Sequence, residues 1–308
     1  MSHARTSTAR RRNFLSRAVL FLLAAPPGLW AEDVVFKAGV NHVLLDVSVT
    51  DVKGQPVPNL RREQFQVSEN HSRRDITTFA NGDVDISVAV VIDNSRSMRP
   101  RQAAVLTGLA ALVGGLQKGD EAAMLLFQDR VDVAINFQNH PAWIRWRDAL
   151  LKERPDGRTS LYDAIRRASG LLESSAHERR VIIVLSDGQD TSSQATLNDA
   201  INELRSSNRL LYAIGLFEAG DSDSSSDVLK KLAEPTGGQL ILDADGTHLK
   251  DSFTAVLKDL RSRYLLGFNS ADATSGKAEI RRLSVTILNP PAGRLHILAR
   301  REYRVAPN

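Results

Sequence analysis

The chain has 308 residues, enough for about two domains, and carries 40 Lys and Arg against 36 Asp and Glu. It has no cysteine, which excludes disulfides, thiolate metal ligands, a cysteine nucleophile and a lipid anchor on an N-terminal cysteine. Five of the basic residues (Arg5, Arg10, Arg11, Arg12 and Arg17) stand within residues 1–31 without an acid; without them 35 face 36, a net near −1 that offers no field for nucleic acid or anionic lipid.

Residues 1–31 read as an export signal. A basic stretch ends at Arg12, and "AVLFLLAAPPGLWA" follows from Ala18 to Ala31. That apolar run is broken by Pro26 and Pro27 and is shorter than the roughly 20 residues a bilayer span needs, so no stable membrane insertion is expected after cleavage behind Ala31. "RRNFL" (Arg11 to Leu15) resembles the twin-arginine pattern. That resemblance implies export to the periplasm or the extracellular space in a folded state.

Residues 32–81 form an N-terminal β segment. "HVLLDVSVTD" alternates apolar and polar residues, the period of a half-buried strand, and "KGQPVPNL" is turn-rich. "EQFQVSEN" and "RRDITTFA" are short strand candidates.

Residues 82–263 alternate strand and helix. "ISVAVVID" is a continuous apolar strand, and "RPRQAAVLTGLAALVGGLQ" is a helix with Pro100 near its first turn. "EAAMLLFQ" and "VDVAINF" are strands of a hairpin turning at Asp129 and Arg130. "PAWIRWRDALLKE" and "SLYDAIRRASGLLESS" are amphipathic helices, and Trp143 and Trp146, three apart on one face, are read as core residues. "RRVIIVLSDG", "RLLYAIGLF" and "QLILDAD" are further strands; "TLNDAINELRSSN", "DVLKKLAEPTGG" and "HLKDSFTAVLKDLRSR" are helices. The acid-rich "AGDSDSSSD" (Ala219 to Asp227) lacks the turn glycine and closing glutamate of an EF-hand loop and reads as a mobile, solvated loop. Buried strands joined by helices predict an α/β fold, a doubly wound, mostly parallel sheet with helices on both faces.

Residues 264–308 return to strands: "YLLGF", "RRLSVTIL" and "RLHILARREYRV", the last two joined by a turn at "NPPAGR". Both flanks are β-rich. They are expected to pack together into one small sandwich-like module into which the α/β unit is inserted.

Ligands of open α/β sheets sit at the carboxyl ends of the strands, near the point where strand order reverses. Three predicted strand or helix boundaries here carry hard oxygen donors: Asp93, Ser95 and Ser97; Thr159; and Asp187, followed by Gly188. Two carboxylates and three hydroxyls suit a hard divalent cation, Mg²⁺ first and Mn²⁺ or Ca²⁺ next, rather than zinc. The one-residue intervals between Asp93, Ser95 and Ser97 allow alternate side chains to converge beside a helix N-terminus, whose free N–H groups orient oxygen ligands. No histidine pair with metal spacing, Gly-rich phosphate loop or G-x-S-x-G occurs. Asp163 is read as a helix-surface or loop-bracing residue rather than a ligand.

Asp93-x-Ser95-x-Ser97, Thr159 and Asp187-Gly188, in this order and over about 180 residues, resemble the metal-ion-dependent adhesion site of the von Willebrand factor type A (VWA) family. The resemblance implies a Rossmann-like VWA domain without catalytic turnover. Ser95, Ser97 and Thr159 would be direct ligands, and Asp93 and Asp187 would act largely through water. A Glu or Asp carboxylate from a protein partner would complete the shell. "VSVTDVKGQPVPNLRREQFQVSEN" and "ARREYRV" resemble the flanks of an exported bacterial group, the VWFA-related Acidobacterial domain proteins. The chain departs from the family where Gly157-Arg158 replaces Gly-Gly and Gln189-Asp190 replaces Glu-Asp. Two other readings stay open: a structural part of an envelope assembly with a stabilising metal, and a metal-dependent phosphatase or hydrolase using Asp93.

Overall fold

A computed structural model describes residues 41–82, 84–217, 222–243, 245–270, 278–290 and 293–305. The export-signal reading lies outside them. The described chain opens with β1 (Asn41–Thr50), β2 (Phe65–Glu69), β3 (Ser72–Arg74) and β4 (Ile76–Asn81). Then come β5 (Ile86–Asp93), α1 (Gln102–Gly115), β6 (Glu121–Phe127), β7 (Val131–Asn139), α2 (Trp143–Lys152) and α3 (Leu161–Leu171). These are followed by β8 (Arg179–Ser186), α4 (Leu197–Ser206), β9 (Leu210–Gly215), α5 (Ser222–Ala233), β10 (Leu240–Leu242) and α6 (Leu249–Ser262). The strands β11 (Tyr264–Ser270), β12 (Glu279–Ile287), β13 (His296–Leu298) and β14 (Glu302–Val305) close the chain. Among the described residues no helix is long and apolar enough to cross a membrane.

The central sheet runs β10-β9-β8-β5-β6-β7, parallel except for β7, which forms an antiparallel hairpin with β6. β5 is buried at all eight positions because both its faces are covered. One face packs on Leu109 and Leu112 of α1, Trp146 of α2 and Phe253 of α6. The other packs on Ile165 of α3, Leu204 of α4 and Leu229 of α5. From β5 the chain passes to β6 on one side and later to β8 on the other. The strand order therefore reverses at β5, and a crevice opens between the carboxyl ends of β5 and β8.

Two four-stranded sheets, β13-β1-β11-β4 and β14-β12-β2-β3, share a second core around Val47, Phe65, Val67, Tyr264, Phe268 and Tyr303. Each sheet draws strands from both sides of the α/β unit: β1 pairs with β11, and β2 with β12.

Two local expectations need correction. Of the segment expected as a loop, residues 219–221 lie outside the described residues, and residues 222–227 are the start of α5. Leu229 and Leu232, both fully buried, anchor its later turns. "RLHILARREYRV" is not one strand but two, β13 and β14, in different sheets. The break falls at Arg300, whose buried guanidinium donates to the carbonyls of Leu204 (3.3 Å), Arg205 (3.1 Å) and Ser207 (3.2 Å) at the end of α4. Burial pushes its pKa down to about 10, and the negative end of the helix is its compensation. The crossing chain passes so close to Gly237 (φ 81°) that a Cβ there would lie 2.6 Å from the Arg300 nitrogen.

The sandwich is joined to the α/β unit by buried charge. Arg179, fully buried, donates to Asp46 Oδ1 of β1 (2.6 Å) and to the carbonyls of Gly82, Leu260 and Arg263 (3.2 Å each). Arg263 donates to Asp259 Oδ2 (2.8 Å) and lies over the Tyr212 ring at 5.5 Å. Asp259 also accepts from Tyr212 and from Ser48 of β1 (3.0 Å).

Within the sandwich, Glu69 is 1% exposed and accepts from Ser270 (2.6 Å), Arg74 (2.8 Å) and Tyr303. Burial alone would raise its pKa. The hydrogen bonds from Ser270, Tyr303 and Arg74, with the charge of Arg74, outweigh burial and hold it below the ordinary value of 4.5. A depressed carboxylate pKa contributes stability that is present above the unfolded value and lost as pH falls through the folded one. Glu69→Gln is therefore expected to lower stability at pH 7 and to flatten the stability loss below about pH 4.5. Urea titrations at pH 7, 5, 4 and 3 check this; parallel acid limbs for parent and variant would refute it.

Candidate metal centre

Three loops meet at the crevice. Asp93 ends β5, and the chain turns through Asn94 and Ser95 into a 3-10 turn, Arg96–Arg101, ahead of α1. Asp187 follows β8, and Thr159 stands just before α3. The loops are stitched by backbone bonds. Asn94 donates to Phe127 O (2.8 Å), Asp156 to Asn94 O (3.0 Å) and Arg96 to Gly157 O (3.3 Å). Thr191 and Ser192 donate to Thr159 O (2.8 and 2.9 Å), while the Thr159 N–H donates to Thr191 Oγ1 (3.0 Å).

Four of the five expected donors form one connected set. Asp93 Oδ1 accepts from the Ser95 N–H (2.9 Å), and Asp93 Oδ2 from Ser186 Oγ (2.7 Å). Ser95 Oγ and Ser97 Oγ lie 3.1 Å apart, and Ser97 Oγ donates to Asp187 Oδ2 (2.6 Å). Asp187 Oδ1 accepts from the Gln189 N–H (3.1 Å). Thr159 is 5% exposed and is tied to the loop after Asp187 by the backbone bonds above; among the described residues no side-chain bond joins it to the other four. Gly188 (φ 77°) makes the turn after Asp187; a Cβ there would lie 2.5 Å from Ser225 O, so the start of α5 packs directly on this loop.

The donor set fits a hard dication. Burial pushes the Asp93 carboxyl up to about 6, the neighbouring Asp187 charge adds to the rise, and the hydrogen bonds from Ser95 and Ser186 work against it. Two carboxylates bridged by hydroxyls concentrate negative potential in a crevice, and a cation between them favours both ionised forms. Ser95, Ser97 and Thr159 add neutral oxygens of the type Mg²⁺ takes.

Several contributors were not singled out in the sequence. Ser186 holds Asp93 and accepts the Gly188 N–H (3.0 Å). Asp190 accepts from the Tyr162 N–H (3.0 Å) and the Ser193 N–H (3.2 Å), anchoring α3 to the Asp187 loop. Asp163, by contrast, was read from the sequence, and it accepts from the Gln194 and Ala195 N–H groups (2.8 and 3.0 Å), a loop brace. The density of short polar residues in "LSDGQDTSS" was the available signal. Arg96 and Arg99 both pair with Asp156 (3.1 and 2.9 Å), and Arg158 pairs with Asp129 (3.0 Å). The residue that replaces the family's second glycine is thus turned to a neighbouring loop. A separate cluster, Asp243, Asp245 and His248, caps the start of α6: Asp243 accepts the His248 N–H (3.1 Å) and Asp245 the Thr247 N–H (3.0 Å).

Comparison with known proteins identifies the fold. The family model described as von Willebrand factor type A domain matches residues 87–255, more than half of the chain. A solved structure of a von Willebrand factor type A protein from Catenulispora acidiphila superposes with a TM-score of 0.52 at 13% identity, covering 87% of this chain and 74% of that one. Proximal thread matrix protein 1 from the mussel byssus superposes with a TM-score of 0.51 at 17% identity, covering 63% of this chain and 51% of that one. No curated protein matches. With a parallel sheet that reverses order at β5 and the matched span running from β5 into α6, the chain belongs to the von Willebrand factor type A domain family.

Proposed function

We propose that this chain is an exported, non-enzymatic protein-binding module. It holds a divalent cation, Mg²⁺ first, with Asp93, Ser95, Ser97, Thr159 and Asp187, and uses it to take a Glu or Asp carboxylate from a protein partner. The observation that carries this reading is the hydrogen-bonded run from Ser95 Oγ through Ser97 Oγ to Asp187 Oδ2, at the crevice where the strand order reverses. Bound there, the cation would supply the positive charge that a carboxylate needs. The protein's part is to fix the donors: Asp93 by Ser95 and Ser186, Thr159 by Thr191 and Ser192. Both Asp93 oxygens accept hydrogen bonds, which favours an orienting role over a nucleophilic one.

Thermal melting of the mature protein with Mg²⁺, Mn²⁺, Ca²⁺ or chelator tests the site. A metal at 100 times its Kd stabilises by about 2.7 kcal/mol. An immobilised Glu-containing peptide library and its Gln-substituted counterpart test the partner. Capture is expected to need both metal and Glu. No melting response to any of the three ions sinks the metal site. A response with chelator-insensitive capture favours a structural metal instead. Metal-dependent hydrolysis of a phosphomonoester panel that is lost in Asp93→Asn would establish the phosphatase alternative.

A further inference from the structure

We propose that the open edge of β10 takes an extended peptide strand, alternating apolar and acidic residues, from a partner protein. This surface is separate from the metal centre. β10 is the outermost strand of the central sheet. The Ala213 N–H donates to Gln239 O (2.9 Å) and the Asp243 N–H to Gly215 O (3.0 Å), in a parallel register that sets Leu240 against Ala213 and Leu242 against Gly215. Successive residues of a strand turn their backbone groups to opposite edges. Ile241 therefore faces β9, while the N–H and C=O groups of Leu240 and Leu242 face outward. Among the described residues no ladder or turn bond uses those four groups. Such a row specifies an extended backbone as its complement.

The space beside that edge is a cleft of about 910 Å³. α5 and α6 form its walls, and β13, the outer strand of its own sheet, contributes Ile297 and Leu298. Leu242 is 60% exposed there. Leu240 packs on the α5 side of the sheet, and alternation places Leu242 on that side as well, with Ile241 on the α6 side.

The charges of the two walls differ. On α5, Lys230 pairs with Glu234 (3.7 Å), and Asp227 adds a second acid. On α6, Lys258 makes no ion pair among the described residues, because the carboxylate beside it, Asp259, is taken by Arg263, Tyr212 and Ser48. An added strand thus meets an exposed leucine and surplus acid on one face and a free ammonium on the other. Apolar residues toward α5 and acids toward α6 satisfy both, which is the two-residue alternation of a strand.

The test uses the mature chain in chelator, so that the metal centre cannot take the peptide's acids, with fluorescein-labelled, end-capped Val-Glu-Val-Glu-Val as probe. Anisotropy is expected to show saturable binding. Alternate N-methylation of the probe should weaken it at least tenfold, and Val-Lys-Val-Lys-Val should bind at least fivefold more weakly. Lys258→Glu should reverse the preference between the two peptides. Amide hydrogen exchange should slow at least tenfold at Leu240 and Leu242. No binding, equal binding of the N-methylated probe, or binding that protects neither leucine amide overturns the proposal. Concentration-dependent self-association that protects the same amides without peptide also overturns it and assigns the edge to a second copy. Because chelator is present throughout, neither result bears on the metal reading.

Discussion

Asp46→Ala is expected to cost about 3–5 kcal/mol of stability, the usual consequence of leaving one partner of a buried ion pair uncompensated. Arg179 has no exposed side-chain surface, and among the described residues Asp46, at 2.6 Å, is its only carboxylate contact; its other hydrogen bonds there go to carbonyls. A guanidinium cannot shed its charge at neutral pH, so the vacated site keeps a cation without an anion. The two ends of the pair come from different modules, β1 of the sandwich and β8 of the central sheet, so the loss falls on the junction between them. Urea unfolding at pH 7 measures it. Replacing both partners by apolar residues of similar volume, Asp46→Leu with Arg179→Met, should recover much of the loss, since an apolar pair needs no compensation. A loss below 1 kcal/mol in Asp46→Ala would show that Arg179 is solvated or held by other groups.

Thr159→Ala is expected to remove the whole metal-induced stabilisation, about 2.7 kcal/mol at 100 times the parent's Kd, while changing metal-free stability by only about 1 kcal/mol. The asymmetry follows from how Thr159 is held. Its N–H and C=O bond the 187–193 loop, and an alanine keeps both. Its hydroxyl is the donor that the proposed site takes from the loop before α3. Asp93→Asn should lose the same response, because it removes one of the two carboxylates. Melts of parent and both variants in Mg²⁺ and in chelator decide the matter. A full Mg²⁺ response in Thr159→Ala would remove that residue from the ligand set.

The α/β class was readable because a strand covered on both faces must be apolar throughout. "ISVAVVID" and "RRVIIVLS" admit little else, and between them α2 and α3 carry one apolar stripe each while α1 is apolar nearly all round. The donors were readable for a related reason. Asp93, Ser95 and Ser97 interrupt an apolar run where a core strand ends, and Asp187 does the same after β8. Short polar residues at such a point are either capping a turn or gathering a ligand. The structure shows that Asp93 caps, through the Ser95 N–H, and the proposed metal role would fall on the same side chain. The α5 start was misread because serine and aspartate are equally at home in loops and first turns, and only packing against the Asp187 loop separates the two.

By itself the sequence determined the layer order, the central hydrophobic strands and the chemical type of the candidate site, since these depend on local periodicity and side-chain chemistry. Only the tertiary structure decided which groups meet. It brought Ser97 to Asp187 across 90 positions, turned Arg96 and Arg158 to Asp156 and Asp129, and placed Arg179 on Asp46. It also split the last strand at Arg300 and left the edge of β10 beside a cleft, without a ladder partner among the described residues. Pairings of this kind depend on strand order and on the close packing of distant segments, and neither leaves a periodic trace in the chain.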